Sequence, residues 1–302
     1  MKSTWNRPIV GRLVLRYASV TLAALAMLVM ATSGPSLARA IAQVQESFIP
    51  HDSGQNVTPA YEGWYKNADG TYSLVFGYMN RNFKEVLDVP IGPNNRFSPG
   101  PEDRGQPTHF MTRRHWGVFA ISVPPEVFAD KNYQLTWTLT TNGKTDAIPG
   151  HFRPEWEIDA LKEITSGNTP PVIKFAPTGE TAQGPRGVFT DITVTYPAPA
   201  KLAVWVSDDG IKKAGQSSRT TGAAPLGVGW SKYRGPGTVT FAAADPPVEN
   251  GTATTTATFS APGEYTLRLH AWDDSGRYAG GFYCCWTNGY ARVTVRPGTS
   301  TQ

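Results

Sequence analysis

Residues 257–274 read ATFSAPGEYTLRLHAWDD, and this stretch decides the fold. Pro262-Gly263 makes a turn, and the side chains then alternate through Trp272. Leu267, Leu269 and Ala271 fall on one face, and Arg268, His270 and Trp272 fall on the other. A period of two is the strand period, because successive side chains of an extended chain point to opposite faces. Val293 and Val295 repeat the pattern against Arg292, Thr294 and Arg296. Outward from this core, strand candidates lie at 172–175, 188–196, 202–207, 227–233, 238–241, 254–259, 264–272 and 290–295. Seven or eight short strands in about 125 residues are the signature of a β-sandwich.

Three groups of residues occur in a fixed order. They are Val206-Ser207-Asp208-Asp209-Gly210, then Trp230-Ser231-Lys232 with GPGTVTF at 235–241, then 257–274. Over residues 169–297 this resembles the PKD-type immunoglobulin-like repeat of bacterial surface proteins. Gly263-Glu264-Tyr265 before an alternating strand is its most specific part. The resemblance implies an immunoglobulin-like sandwich with Trp230 in the place of the core tryptophan. It also implies that Tyr265, at the entry to the sixth strand, hydrogen-bonds back as a tyrosine corner. After Asp274 the sequence departs from the pattern: SGRYAGGFYCCWTNG at 275–289 stands where a short turn is usual.

The first region, 42–165, is also β-rich, with strand candidates at 61–65, 71–80, 115–123 and 133–141. Asn67-Ala68-Asp69-Gly70 and Asn142-Gly143 are hairpin turns by composition, the latter joining 134–141 to 144–148. A long irregular stretch separates Asn80 from His115, and one short helix is expected over 155–164 (EWEIDALKEI). YEGW at 61–64 and FGYMNRN at 76–82 resemble exported bacterial proteins of no known function, which supplies no chemistry. The segment 166–171 (SGNTPP) reads as a stiff, exposed linker. The expected fold class is therefore all-β, with two β-sandwich-like domains at 42–165 and 172–297 and a tail at 298–302.

The chain carries 28 Lys+Arg against 24 Asp+Glu. Lys2, Arg7, Arg12, Arg16 and Arg39 all precede the first acid, Glu46. Removing residues 1–40 takes away five basic residues and no acid, so 23 bases face 24 acids and the net charge is −1. The basicity belongs to the leader, and a nucleic-acid partner loses its compositional support. Residues 1–40 have a basic start, the apolar run VTLAALAMLVMA at 20–31, and Ala38-Arg39-Ala40 as a cleavage pattern. This is the layout of a Sec-type signal peptide, which addresses the protein to the periplasm or the exterior. Membrane attachment would come only through this leader if it stayed uncleaved.

Candidate sites are few. Cys284 and Cys285 are the only cysteines and are adjacent. A vicinal disulfide, two free thiols on opposite strand faces, and bonds to another chain all remain open. Asp208-Asp209 and Asp273-Asp274 end strands whose following loops share one end of an immunoglobulin-like sandwich. Four carboxylates there are either a structural calcium site or ordinary turn chemistry. Tyr278, Phe282, Tyr283, Trp286 and Tyr290 crowd the same end. They either form a ligand-binding surface for a sugar or protein or fold inward. His109, Arg113 and Arg114 are the polar candidates of the first region. No G-x-S-x-G elbow, H-E-x-x-H, phosphate loop or dinucleotide fingerprint occurs. The leading expectation is a non-catalytic binding or scaffold protein of the cell envelope or exterior, contacting carbohydrate or an envelope protein. One alternative is an enzyme or enzyme subunit with its site in the 90–114 loop, using His109, Arg113 and Arg114 with Glu102 or Asp103. The other is a structural subunit of a surface assembly, associating through strand edges or the aromatic loop.

Overall fold

In the second half of the chain, eight strands form two four-stranded sheets. They are β9 (Val172–Lys174), β10 (Val188–Thr195), β11 (Ala200–Ser207), β12 (Gly227–Arg234), β13 (Val239–Phe241), β14 (Thr252–Phe259), β15 (Gly263–Trp272) and β16 (Trp286–Arg296). One sheet has the order β13-β14-β11-β9 and the other β10-β16-β15-β12. This is the immunoglobulin arrangement, in which first, second, fifth and fourth strands face the third, sixth and seventh. The first strand is split in two here, and its second part, β10, pairs parallel to β16. The alternation dictates the core: Leu202, Val204, Val206, Leu267, Leu269, Val293 and Val295 are buried between the sheets with Trp230. Tyr265 donates its hydroxyl to the Ala261 carbonyl at 2.8 Å, closing the corner expected at the entry to β15.

These features belong to a computed structural model that describes residues 50–164, 166–211, 226–273 and 284–298. The leader and its cleavage pattern lie outside the described residues, as do Asp274, Tyr278, Phe282 and Tyr283. No helix among the described residues is long and apolar enough to cross a membrane.

The first half holds two three-stranded sheets. β1 (Val57–Lys66), β2 (Tyr72–Asn80) and β6 (Arg113–Val123) pair in that order. β4 (Asn95–Ser98), β7 (Leu135–Thr141) and β8 (Lys144–Gly150) make the other sheet. Phe76, Phe97, Phe119 and Trp137 fill the space between them as an aromatic cluster. The β7–β8 turn has positive φ at both Asn142 and Gly143, the conformation a two-residue hairpin needs. The stretch between Asn80 and His115 is more ordered than its composition implied. It contains β4 and a small ladder of β3 (Leu87–Asp88) with β5 (His109–Phe110). A fully buried amide pins it: Asn95 Nδ2 donates to the carbonyls of Val89 (3.0 Å) and Pro107 (2.8 Å), and its Oδ1 accepts from Trp137 Nε1 (2.9 Å).

Two expectations fail. The helix expected over 155–164 is only a single 3-10 turn at Pro154–Trp156, while the one α-helix among the described residues is α1 (Pro125–Ala129). Ile158 and Ala160 are buried instead, in a segment tied to the first half by the Ile158 N–H, which donates to the Trp64 carbonyl at 2.9 Å. The supposed exposed linker is largely buried, at Asn168, Pro170 and Pro171. The reason is that residues 51–302 form one unit, and this segment is part of its interior.

Candidate functional site at the seam

The two halves meet over the outer face of the β10-β16-β15-β12 sheet. In β16 the residues at 287, 289 and 291 face the sandwich core, so Trp286, Asn288 and Tyr290 stand on the opposite face. Arg268 of β15 lies opposite Tyr290 on that same face. All four are buried. What covers them is β6. Its register against β2 slips between Phe76 and Tyr78, a β-bulge at Gly117, which has φ +47°. The Gly117 carbonyl accepts from Trp286 Nε1 at 3.2 Å and from Asn288 Nδ2 at 2.8 Å. Tyr290 donates to the next carbonyl, Val118, at 2.8 Å. Asn288 completes its set by donating to Pro185 and accepting from Arg268 Nε and Nη2. Glycine is required at 117, because a side chain there would collide with the Trp286 indole.

Polar contacts frame this patch. Thr108 N–H donates to the Tyr233 carbonyl at 3.1 Å, and the Tyr233 hydroxyl donates to the Gly105 carbonyl at 2.5 Å. Arg234 grips Asp103 with both Nη atoms, at 2.7 and 2.9 Å, and donates from Nε to Gln106. Hydrogen bonds from Arg234 hold the Asp103 carboxyl below its usual value, against the effect of burial. Asp88 receives His109 Nδ1 at 2.8 Å and Lys232 Nζ at 3.1 Å. Burial lowers the His109 pKa despite that carboxylate, so its neutral ring donates to Asp88 at neutral pH.

Each candidate residue can now be placed. Trp286 offers no face to a ligand, because the seam uses it, and this corrects the reading of it as ligand-binding; Tyr290 is also held by the seam, but its ring stacks on Phe189 and lines a cleft. The enzyme constellation does not assemble around one point. His109 is held by Asp88, and Asp103 by Arg234. Arg114 pairs with buried Glu62 at 2.6 Å and lies over the Trp116 ring, while Arg113 lies over Phe83. Burial pushes the Glu62 carboxyl up, against the pull of Arg114 and of the Gly117 N–H. Cys284 and Cys285 are buried beside the seam and joined by a disulfide, across a cis peptide that brings their Cα atoms to 3.0 Å.

Of the four acidic residues, Asp208, Asp209 and Asp273 are described, and each has protein partners. Asp209 accepts from the Thr169 N–H and hydroxyl at 2.9 and 2.7 Å, and from the Ile211 N–H. Asp208 accepts from Gly210 N–H, and Asp273 accepts from Asn168 Nδ2 at 2.7 Å. No group of three or more His, Cys, Asp or Glu among the described residues is placed to hold a metal. Asn168 Oδ1 is buried there with no hydrogen-bond partner among the described residues.

Sequence reasoning missed a cleft of about 190 Å³ along the seam. Arg104 of the first half lines it with Arg186, Arg234 and Arg292 of the second, and no acid lines it. Phe189 and Tyr290, stacked with ring centroids 4.9 Å apart, form an aromatic wall. Three of the arginines are ion-paired, Arg186 with Asp69, Arg234 with Asp103 and Arg292 with Asp191. A signal did exist in part: Trp286, Asn288, Tyr290 and Arg292 alternate as strictly as the aliphatic face does.

No protein-family model matches the chain, and no curated protein matches it. Among solved structures it is similar to the surface layer protein SbsC, domains 4–9, at 12% identity. That likeness covers 82% of this chain and 31% of that one, with a TM-score of 0.25. Domains 4 and 5 of SbsC are 12% identical over 80% of this chain and 98% of theirs, with a TM-score of 0.22. A tandem of titin Ig domains is 10% identical over 81% of this chain and all of its own, with a TM-score of 0.21. The all-β sandwich assignment rests on the strand order and register described above.

Proposed function

We propose that this is an exported, non-catalytic binding or scaffold protein of the bacterial cell envelope or exterior, contacting carbohydrate or protein. The observation that carries the reading is the seam. Two β-sandwich-like halves are joined through a buried row, Trp286-Asn288-Tyr290, into one unit. Such a unit presents a fixed surface with little conformational cost on binding. The side chains that an enzyme in the 90–114 loop would need are engaged in separate ion pairs and ring contacts, which supports a structural use for them. The leader supplies the address.

Screening the exported protein on a glycan array and in pull-downs from envelope fractions tests this reading. Saturable retention of a glycan or an envelope protein, with the ligand recovered unaltered, is expected. Turnover of a retained ligand, abolished by replacing His109 or Arg114, would move the assignment to the enzyme. N-terminal sequencing of the exported chain is expected to begin after Ala38-Arg39-Ala40, and a start at Met1 would contradict the leader.

A further inference from the structure

We propose that the seam cleft binds one anionic sugar unit, a carboxylate-bearing pyranose. The proposal deepens the binding role above and rests on it. Four arginines line the cleft and no acid does. Three of them pair with aspartates that do not themselves line the cleft, so the lining keeps arginine donors and presents no carboxylate. Arg104 differs: no carboxylate among the described residues pairs with it, so its charge is the one in the lining that no protein acid answers.

A second, independent observation concerns shape. Phe189 is 54% exposed, one of few large apolar side chains so exposed, and it stands on the cleft wall with Arg292 5.3 Å from its ring centre. An exposed aromatic face is a platform for the C–H face of a sugar ring, with the neighbouring cation taking the charged substituent. The volume is small beside the roughly 300–1,000 Å³ of pockets that enclose drug-sized ligands. It suits one ring and not an extended peptide. Donor-rich walls, one aromatic platform and room for a single ring together favour an acidic sugar over an acidic peptide.

Calorimetric titration of the exported protein with D-glucuronate and D-galacturonate tests this. D-glucose, D-galactose, acetate, inorganic sulfate and a triglutamate peptide serve as comparisons. The uronates are expected to bind saturably, with Kd near about 1 mM as befits a single small ring. Neutral sugars and simple anions should be at least about tenfold weaker, because each lacks one half of the recognition. R104Q is expected to lose about tenfold in uronate affinity, and F189A about fivefold, with melting unchanged. If R104Q unfolds, F189A decides alone, since an exposed ring is not needed for folding. The proposal is overturned if no uronate binds, if neutral sugars bind equally, if sulfate or acetate binds as tightly, if triglutamate binds more tightly, or if the variant that remains folded keeps full uronate affinity. Failure here with a ligand still retained in the array or pull-down would discard this cleft and leave the binding role standing.

Discussion

The second half of the chain closes its sandwich with Leu202, Val204, Leu267, Leu269, Val293 and Val295, whereas the first closes with Phe76, Phe97, Phe119 and Trp137. The aliphatic core sits between two four-stranded sheets, so alternation along each strand is enough to fill it. The aromatic core has only three strands on each side. Large rings cover more area per residue, and buried amides such as Asn95 replace the missing ladder partners. The first half therefore depends on specific polar contacts, and the second mainly on period and volume. The seam belongs to the first kind, although half of it is built on the second half's sheet.

This contrast can be broken most forcefully at Gly117. Gly117→Ala places a side chain against the Trp286 indole and holds a non-glycine residue at φ +47°. It is expected to cost about 3 kcal/mol or more in urea denaturation. Asn288→Ala comes next. It leaves the carbonyls of Gly117 and Pro185 without that donor and removes an acceptor from buried Arg268, an expected loss of about 2–4 kcal/mol.

Acid should weaken the seam in two steps. The His109 pKa is lowered on folding, mainly by burial, so its contribution is present above its ordinary 6.5 and is lost as pH falls through the folded value. Asp103 is also lowered, by Arg234, and its contribution is lost only as pH falls below the ordinary 3.8. The urea midpoint is thus expected to drop first below about pH 6.5 and again below about pH 4. His109→Asn should remove the first step alone, and an unchanged first step would show that His109 carries none of it.

Smaller effects sharpen the contrast from the other side. Tyr265→Phe loses one hydrogen bond at a corner away from the seam, and about 1 kcal/mol of stability, with uronate binding unaffected. Asp209→Ala frees the Thr169 N–H and hydroxyl and is expected to cost about 0.5–1 kcal/mol. Melting in excess calcium is expected to match melting in chelator. A rise with calcium would reassign Asp208, Asp209 and Asp273 as ligands.

Most of the second half was legible because its two-residue period survives inspection residue by residue. So was the Asn142-Gly143 hairpin, where only certain residues adopt positive φ. The seam was not legible. Arg268 on β15, with Trp286 and Asn288 on β16, has the composition of a solvated or ligand-facing surface, and only the second layer laid over these residues makes them interior. The ordering of residues 80–115 was hidden for a related reason. Asn95 and Gln106 belong to loop composition, yet each is fully buried and holds backbone in place. The cleft was hidden because Arg104, Arg186, Arg234 and Arg292 come from four separate segments that no local pattern links.

Calorimetric unfolding of the exported protein tests most directly whether the buried row from Trp286 to Tyr290 makes the two halves one unit. A single cooperative transition is expected, with the calorimetric and van't Hoff enthalpies equal. Two separable transitions, one for each half, would contradict it.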